Sequence, residues 1–224
     1  MKRAALVFFL LAGLFTGCMG TTSQNRKDSA RGYNTPYDGA YLSHVAFPLG
    51  GMGAGMMCLE GTGAISHVSL RHRPDLGNDP CLFSALCIKG EGGNVARVLE
   101  GPVPTWKIFG RGGAGFGLGG TSWGLPRFAQ AVFQSRFPFA TITLKDQTLP
   151  VQVEITGWSP FIPLDADNSS LPVAGLEYRF INTSGRDIEA VYSFHTVNFM
   201  QQGNNPRGVK PLAGGFMLYN TAAP

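Results

Sequence analysis

The sequence predicts an all-β protein, an antiparallel two-sheet β-sandwich with long Gly-rich loops, preceded by a signal or lipoprotein segment. Three observations carry that prediction. Apolar and polar residues alternate in Val151-Gln152-Val153-Glu154-Ile155-Thr156 and again around Ala140, Ile142 and Leu144, the period of strands with one covered face. Glycine is abundant at 31 of 224 residues while charged residues reach only 14%, which suits a globular chain with many turns. No stretch carries a 3.6-residue apolar period with helix caps.

The first residues have a different character. Met1-Lys2-Arg3 precedes an apolar run from Ala4 to Phe15, the layout of a secretory signal. As a helix that run would span about 18 Å, too short for a bilayer core of roughly 30 Å. It ends Leu14-Phe15-Thr16-Gly17-Cys18, which resembles the bacterial lipoprotein box, with Phe15 where Leu is usual. This predicts a signal peptide over 1–17, lipidation at Cys18 and a chain exported to the bacterial cell envelope, held to its membrane only by that anchor. Residues 18–44, rich in Ser, Thr, Asn and Gly, read as a flexible tether, and residues 45–224 as the sandwich. Without Lys2 and Arg3 the net charge falls from +4 to about +2. Basic residues do not interleave with aromatics, so nucleic-acid binding has no support.

Within the sandwich the strands follow in order. Met56–Glu60 and Ala64–Leu70 flank the short loop Gly61-Thr62-Gly63. Cys81–Lys89 and Val95–Leu99 flank a longer loop at 90–94. Then come the alternating stretches at 139–144 and 151–156. Ala174, Leu176, Tyr178 and Phe180 share one face of the next, and Ile188–Val197 and Phe216–Tyr219 complete about ten strands. Gly101–Arg127 fits neither pattern; with nine glycines, Trp106 and Trp123, a loop of this length is functional or mobile.

Several motifs fail on inspection. Gly51-x-Gly53-x-Gly55 lacks the third glycine of a dinucleotide loop and leads into a strand, where a helix N-terminus would be needed. Its glycines are better read as letting chains pass closely. Asp165-Ala166-Asp167-Asn168-Ser169-Ser170 begins like a calcium loop but has Ser170 and Leu176 at the positions that need Gly and Glu. The reading left is a loop whose Asp and Asn side chains hold its own turns. The four histidines have no metal-binding spacing, so no metal and no cofactor is expected. Cys58 could pair with Cys81 or Cys87 in an exported protein, or all three could be buried thiols. Glu60, Asp75, Asp165 and Glu177 are available carboxylates, without a sign that any two converge on a substrate. Trp106, Trp123 and Trp158 could stack on sugar rings or lie in the core.

Three segments, in order, carry a resemblance: Phe47-Pro48-Leu49-Gly50-Gly51-Met52-Gly53-Ala54-Gly55 running on to Arg73-Pro74-Asp75; Arg97-Val98-Leu99-Glu100-Gly101-Pro102; and Trp158-Ser159-Pro160-Phe161-Ile162-Pro163-Leu164-Asp165-Ala166-Asp167-Asn168-Ser169-Ser170-Leu171-Pro172-Val173. Over about residues 45–220 the chain resembles the N-terminal domain of glycoside hydrolase family 116, which includes the non-lysosomal glucosylceramidases. The resemblance implies a β-sandwich that packs on a larger (α/α)6 helical barrel in a retaining β-glycosidase. The family's catalytic Glu and Asp lie in the barrel, and no position of this chain matches them, so no catalytic residue is assigned. The resemblance makes the helical catalytic domain, or its separate product, the expected partner and β-glycosides the associated ligands. Arg71, Arg73, Asp75 and Trp123 become candidates for the domain interface or the neighbourhood of the sugar. A free-standing carbohydrate-binding or structural lipoprotein remains the alternative.

Overall fold

The computed structural model of the chain describes residues 31–70, 74–75, 77–90, 92–109, 121–199 and 207–221. Twelve strands appear among them: β1 (Ala46–Leu49), β2 (Gly55–Glu60), β3 (Ile65–Leu70), β4 (Leu82–Ile88), β5 (Val95–Val98), β6 (Gln130–Arg136), β7 (Phe139–Lys145), β8 (Val151–Trp158), β9 (Gly175–Asn182), β10 (Ala190–Thr196), β11 (Arg207–Leu212) and β12 (Gly215–Asn220). They form antiparallel ladders in the orders β1-β2-β3, β10-β4-β5, β6-β7-β8-β9 and β11-β12. Two short helices interrupt them, α1 (Thr105–Phe109) and α2 (Ala166–Ser169).

The β6–β9 ladder supplies one layer of the core. Ala140, Ile142 and Leu144 on β7 and Val153 and Ile155 on β8 are fully buried, as the alternation requires. The β1–β3 ladder lies across this face: a Cβ on Gly157 of β8 would meet the Leu49 and Leu59 side chains. The β10-β4-β5 ladder continues the covering layer, with the Tyr178 ring of β9 5.5 Å from Tyr192 of β10. Burial of this apolar seam is the main source of stability. The β11–β12 hairpin joins it through Phe216, 6.0 Å from Phe194.

β2 does not alternate; Cys58, Leu59 and Glu60 are all buried. Leu59 faces β8, while Glu60 pairs with Lys107 of α1, so both faces of β2 are covered. Inside the segment expected to be a tether, Tyr37 exchanges backbone hydrogen bonds with Phe133 of β6 (2.7 and 2.9 Å). Leu42, on a 3-10 turn over Gly39–His44, is buried in the core. Cys58, Cys81 and Cys87 are free thiols, with Cys58 buried.

Candidate functional site

Two regions gather the residues that could act on something outside the sandwich. The first is at the end of the two layers, where the glycine-rich loop between β1 and β2 meets the segment after β8. Met52 N–H donates to the Ser169 carbonyl (2.8 Å) and Gly50 N–H to Ser159 Oγ (3.0 Å). Gly51 passes so closely that a Cβ would collide with the Leu171 carbonyl and stand 2.6 Å from the Ser170 carbonyl carbon. Gly55, at φ +106°, brings the chain back against Ser69. The glycines therefore serve close backbone contact, and the loop leads into a strand, the arrangement that excludes a pyrophosphate cradle at a helix N-terminus.

The partner segment is organised by Asp165. Its carboxylate accepts from the backbone N–H of Asn168 (3.0 Å) and from Asn168 Nδ2 (2.6 Å), capping α2. The Asn168 side-chain contact first, then the backbone contact, hold the Asp165 carboxyl below its usual range. Ser169, buried at the heart of the loop, accepts from Ile162 N–H (2.9 Å) and donates to the Ile162 carbonyl (3.0 Å). What these loops present outward is apolar. A groove of about 490 Å3 runs between the glycine loop, Pro74, Phe137 and Pro160. Around it Met52, Phe137, Phe161, Ile162, Leu164 and Leu171 are exposed, an unusual concentration for a solvent-facing surface.

The second region is more polar and only partly enclosed. A cavity of about 60 Å3, room for several water molecules, is lined by Asp79, Cys81, Glu100, Lys107, Ser122 and Trp123 among others. Beneath it lie two ion pairs. Lys107 on α1 contacts Glu60 on β2, and Arg127 Nη2 lies 3.4 Å from Glu100 Oε2. All four side chains are at most 8% exposed. Burial pushes Glu100 up to about 7, against the opposing pull of Arg127; Glu60 adds to the rise and Lys107 opposes it. Burial likewise lowers Arg127, with Glu100 acting in the opposite direction. Each of the four groups has a partner, which offsets part of the cost of burying it. The pairs staple the two stems of the 101–127 loop to the sandwich, helped by Trp106 Nε1 donating to the Ser43 carbonyl (2.8 Å) and by Gly101 N–H donating to the Thr62 carbonyl (2.7 Å).

The residues singled out from the sequence separate between these regions. Trp123 lines the polar cavity. Asp75 lies in the turn after β3, where its N–H donates to Ser69 Oγ (2.9 Å) and its Oδ1 accepts from Gly77 N–H (3.1 Å), beside Pro74 of the apolar groove. Arg71, Arg73 and Cys18 lie outside the described residues. The four available carboxylates do different work: Glu60 is buried against Lys107, Asp75 holds its turn, Asp165 caps α2, and Glu177 stands exposed on β9. Trp158 packs on Gly175, and Trp106 stacks on His44, with ring centroids 5.8 Å apart. Lys107, Glu100 and Arg127 were missed by motif reading. Only the scarcity of charge in an apolar setting at Val98-Leu99-Glu100 hinted at one of them.

No curated protein matches the chain. A family model described as beta-glucosidase 2, glycosyl-hydrolase family 116 N-term, matches residues 46–215, a span that contains the interlocked glycine loop and α2 segment, the apolar groove and both buried ion pairs. The chain therefore belongs to the glycosyl-hydrolase family 116 N-terminal domain family.

Proposed function

We propose that this sandwich is the non-catalytic support of a cell-envelope β-glycosidase, of glucosylceramidase or β-glucosidase type. Its end face seats the helical-barrel catalytic domain of such an enzyme. The observation that carries the reading is the apolar groove with its exposed rim of Met52, Phe137 and Phe161. Two of the three segments that carry the family resemblance interlock to build it. A rim of this kind gains stability when covered by a large apolar partner. Pro74 lines the groove, and its neighbours in sequence, Arg71, Arg73 and Asp75, are the candidate contact residues for the partner. Trp123, which lines the polar cavity at the stem of the long loop, is the candidate for the neighbourhood of the sugar.

The test is co-production of the chain with a family 116 helical domain from separate plasmids, followed by co-purification and hydrolysis of an aryl β-glucoside. The pair is expected to associate and hydrolyse, and Met52→Glu with Phe137→Glu to dissociate it while the sandwich stays folded. Failure of the unaltered pair to associate would sink the reading. Export and anchoring rest on the sequence of the leader. They predict a lipid-modified Cys18, detected by metabolic palmitate labelling and lost in Cys18→Ala.

A further inference from the structure

We propose that the chain forms a two-fold dimer in which β9 pairs antiparallel with β9 of a second copy, centred on Tyr178. Among the described residues β9 ends its sheet, with β8 on one side only. The direction of its backbone groups follows from the β8–β9 ladder. Thr183 N–H donates to the Pro150 carbonyl (2.9 Å), in the same register that sets Val151 against Asn182. Odd-numbered residues of β9 therefore bond inward to β8. The N–H and C=O groups of Leu176, Tyr178 and Phe180 point out of the sheet edge. Such an edge is a template for another strand.

The side chains select both the partner and the register. Glu177 and Arg179 are exposed on the outer face of β9, and Arg179 Nη1 already lies 3.2 Å from Glu154 Oε2 on β8. An antiparallel two-fold through Tyr178 sets Glu177 of each copy opposite Arg179 of the other. These are the non-hydrogen-bonded pairs, whose Cα atoms approach to about 4.5 Å and whose side chains are closest. Across the joint the charges then alternate as Glu154, Arg179 and the second copy's Glu177. Sliding the pairing one step either way would oppose Glu177 to Glu177 or Arg179 to Arg179, so both neighbouring registers are disfavoured. On the inner face Leu176 meets Phe180 and Tyr178 meets Tyr178. The outward groups supply about six backbone hydrogen bonds. Half-exposed Phe180 and Tyr192, whose rings are 6.0 Å apart, flank the same edge and are covered further. This contact uses a strand edge and leaves the end face free for a catalytic domain.

Sedimentation velocity of the full chain at tens of micromolar is expected to show a dimer. Glu177→Arg alone opposes arginines, and Arg179→Glu alone opposes glutamates; each should weaken dimerisation by at least about tenfold. Mixing those two single variants restores complementary pairs and should give a heterodimer, and Glu177→Arg with Arg179→Glu in one chain should restore the homodimer. Circular dichroism matching the unaltered chain controls for folding. A monomer of the unaltered chain, open-ended aggregates, or single variants that dimerise undiminished would each overturn the proposal.

Discussion

Gly51 lies directly beneath the Leu171 carbonyl, at a separation that leaves no room for a Cβ. Backbone stands on both sides of this contact, so neither strand can relieve an added methyl by changing rotamer. Gly51→Ala is therefore expected to lower stability by about 2–4 kcal/mol through backbone displacement. Gly53 is the control: at φ +74° with open space around its missing side chain, Gly53→Ala should cost only about 1 kcal/mol of conformational strain. Urea unfolding of the two variants checks the order, and equal losses would contradict the packing account.

The buried pair of Glu60 and Lys107 supports a second prediction. Removing one member, as in Lys107→Met, leaves Glu60 buried without its counter-ion and should cost about 3–5 kcal/mol. Replacing both, with Glu60→Leu and Lys107→Met, removes the charges together and should recover most of that loss. Thermal unfolding of the two singles and the double closes the cycle. Additive losses would mean that the contact does not couple the residues.

Much of the sandwich was legible because its strands expose one face. On β7 and β8 the period of two gives the buried residues directly, since both are central in their sheet. On β9 the same pattern gives Leu176, Tyr178 and Phe180, yet all three are only partly covered, because an edge strand has fewer neighbours. β1, β6 and β11 were not legible, β1 being only four residues long and interrupted by Pro48. β6 places Gln130, Gln134 and Ser135 among its apolar residues, and β11 carries Gly208, Lys210 and Pro211, compositions that read as loop. α1 and α2, at five and four residues, are too short to display a helical period. The ion pairs were hidden for a different reason. Glu60 and Lys107 are 47 residues apart, and a long-range pairing leaves no spacing signature in one sequence. The glycine loop was read correctly as a place of close approach, but what approaches it, the α2 segment, is a tertiary fact.

Glu100 makes stability depend on pH in a defined direction. Its carboxyl stands near 4.5 in the absence of structure and is raised to about 7 by burial. Between those values the folded chain holds a proton that the unfolded chain has released. The resulting contribution is complete below about 4.5 and is lost as pH rises through about 7. Asp146 acts oppositely: its carboxyl, lowered chiefly by the Thr148 hydroxyl, contributes above its unfolded value near 3.8 and is lost as acid protonates it. The difference between the unaltered chain and Glu100→Gln isolates the first effect. Denaturant titrations from pH 4.5 to 8 should show the unaltered chain losing stability relative to Glu100→Gln as pH rises. Parallel curves would count against a proton on Glu100.

Asp165 gives a prediction that links local structure to the proposed docking face. Its carboxylate holds both the backbone and the side chain of Asn168, and behind that cap Ser169 ties down Ile162 through two hydrogen bonds. Asp165→Ala removes the cap and should lower global stability by only about 1 kcal/mol, because the loop lies at the end of the layers and outside their apolar seam. The local consequence should be larger, since the Ser169 carbonyl also receives Met52 N–H and so fixes the glycine loop. Amide exchange at Met52 and Ser169 should therefore accelerate well beyond what the global loss explains, while exchange on β7 and β8 follows global stability. Association with a family 116 helical domain should weaken in parallel, because Met52 and Phe161 of the apolar rim are carried by the two segments that this contact joins. Unchanged exchange at Met52 would show that the glycine loop is held independently of the cap, and would separate the end face from the order of α2.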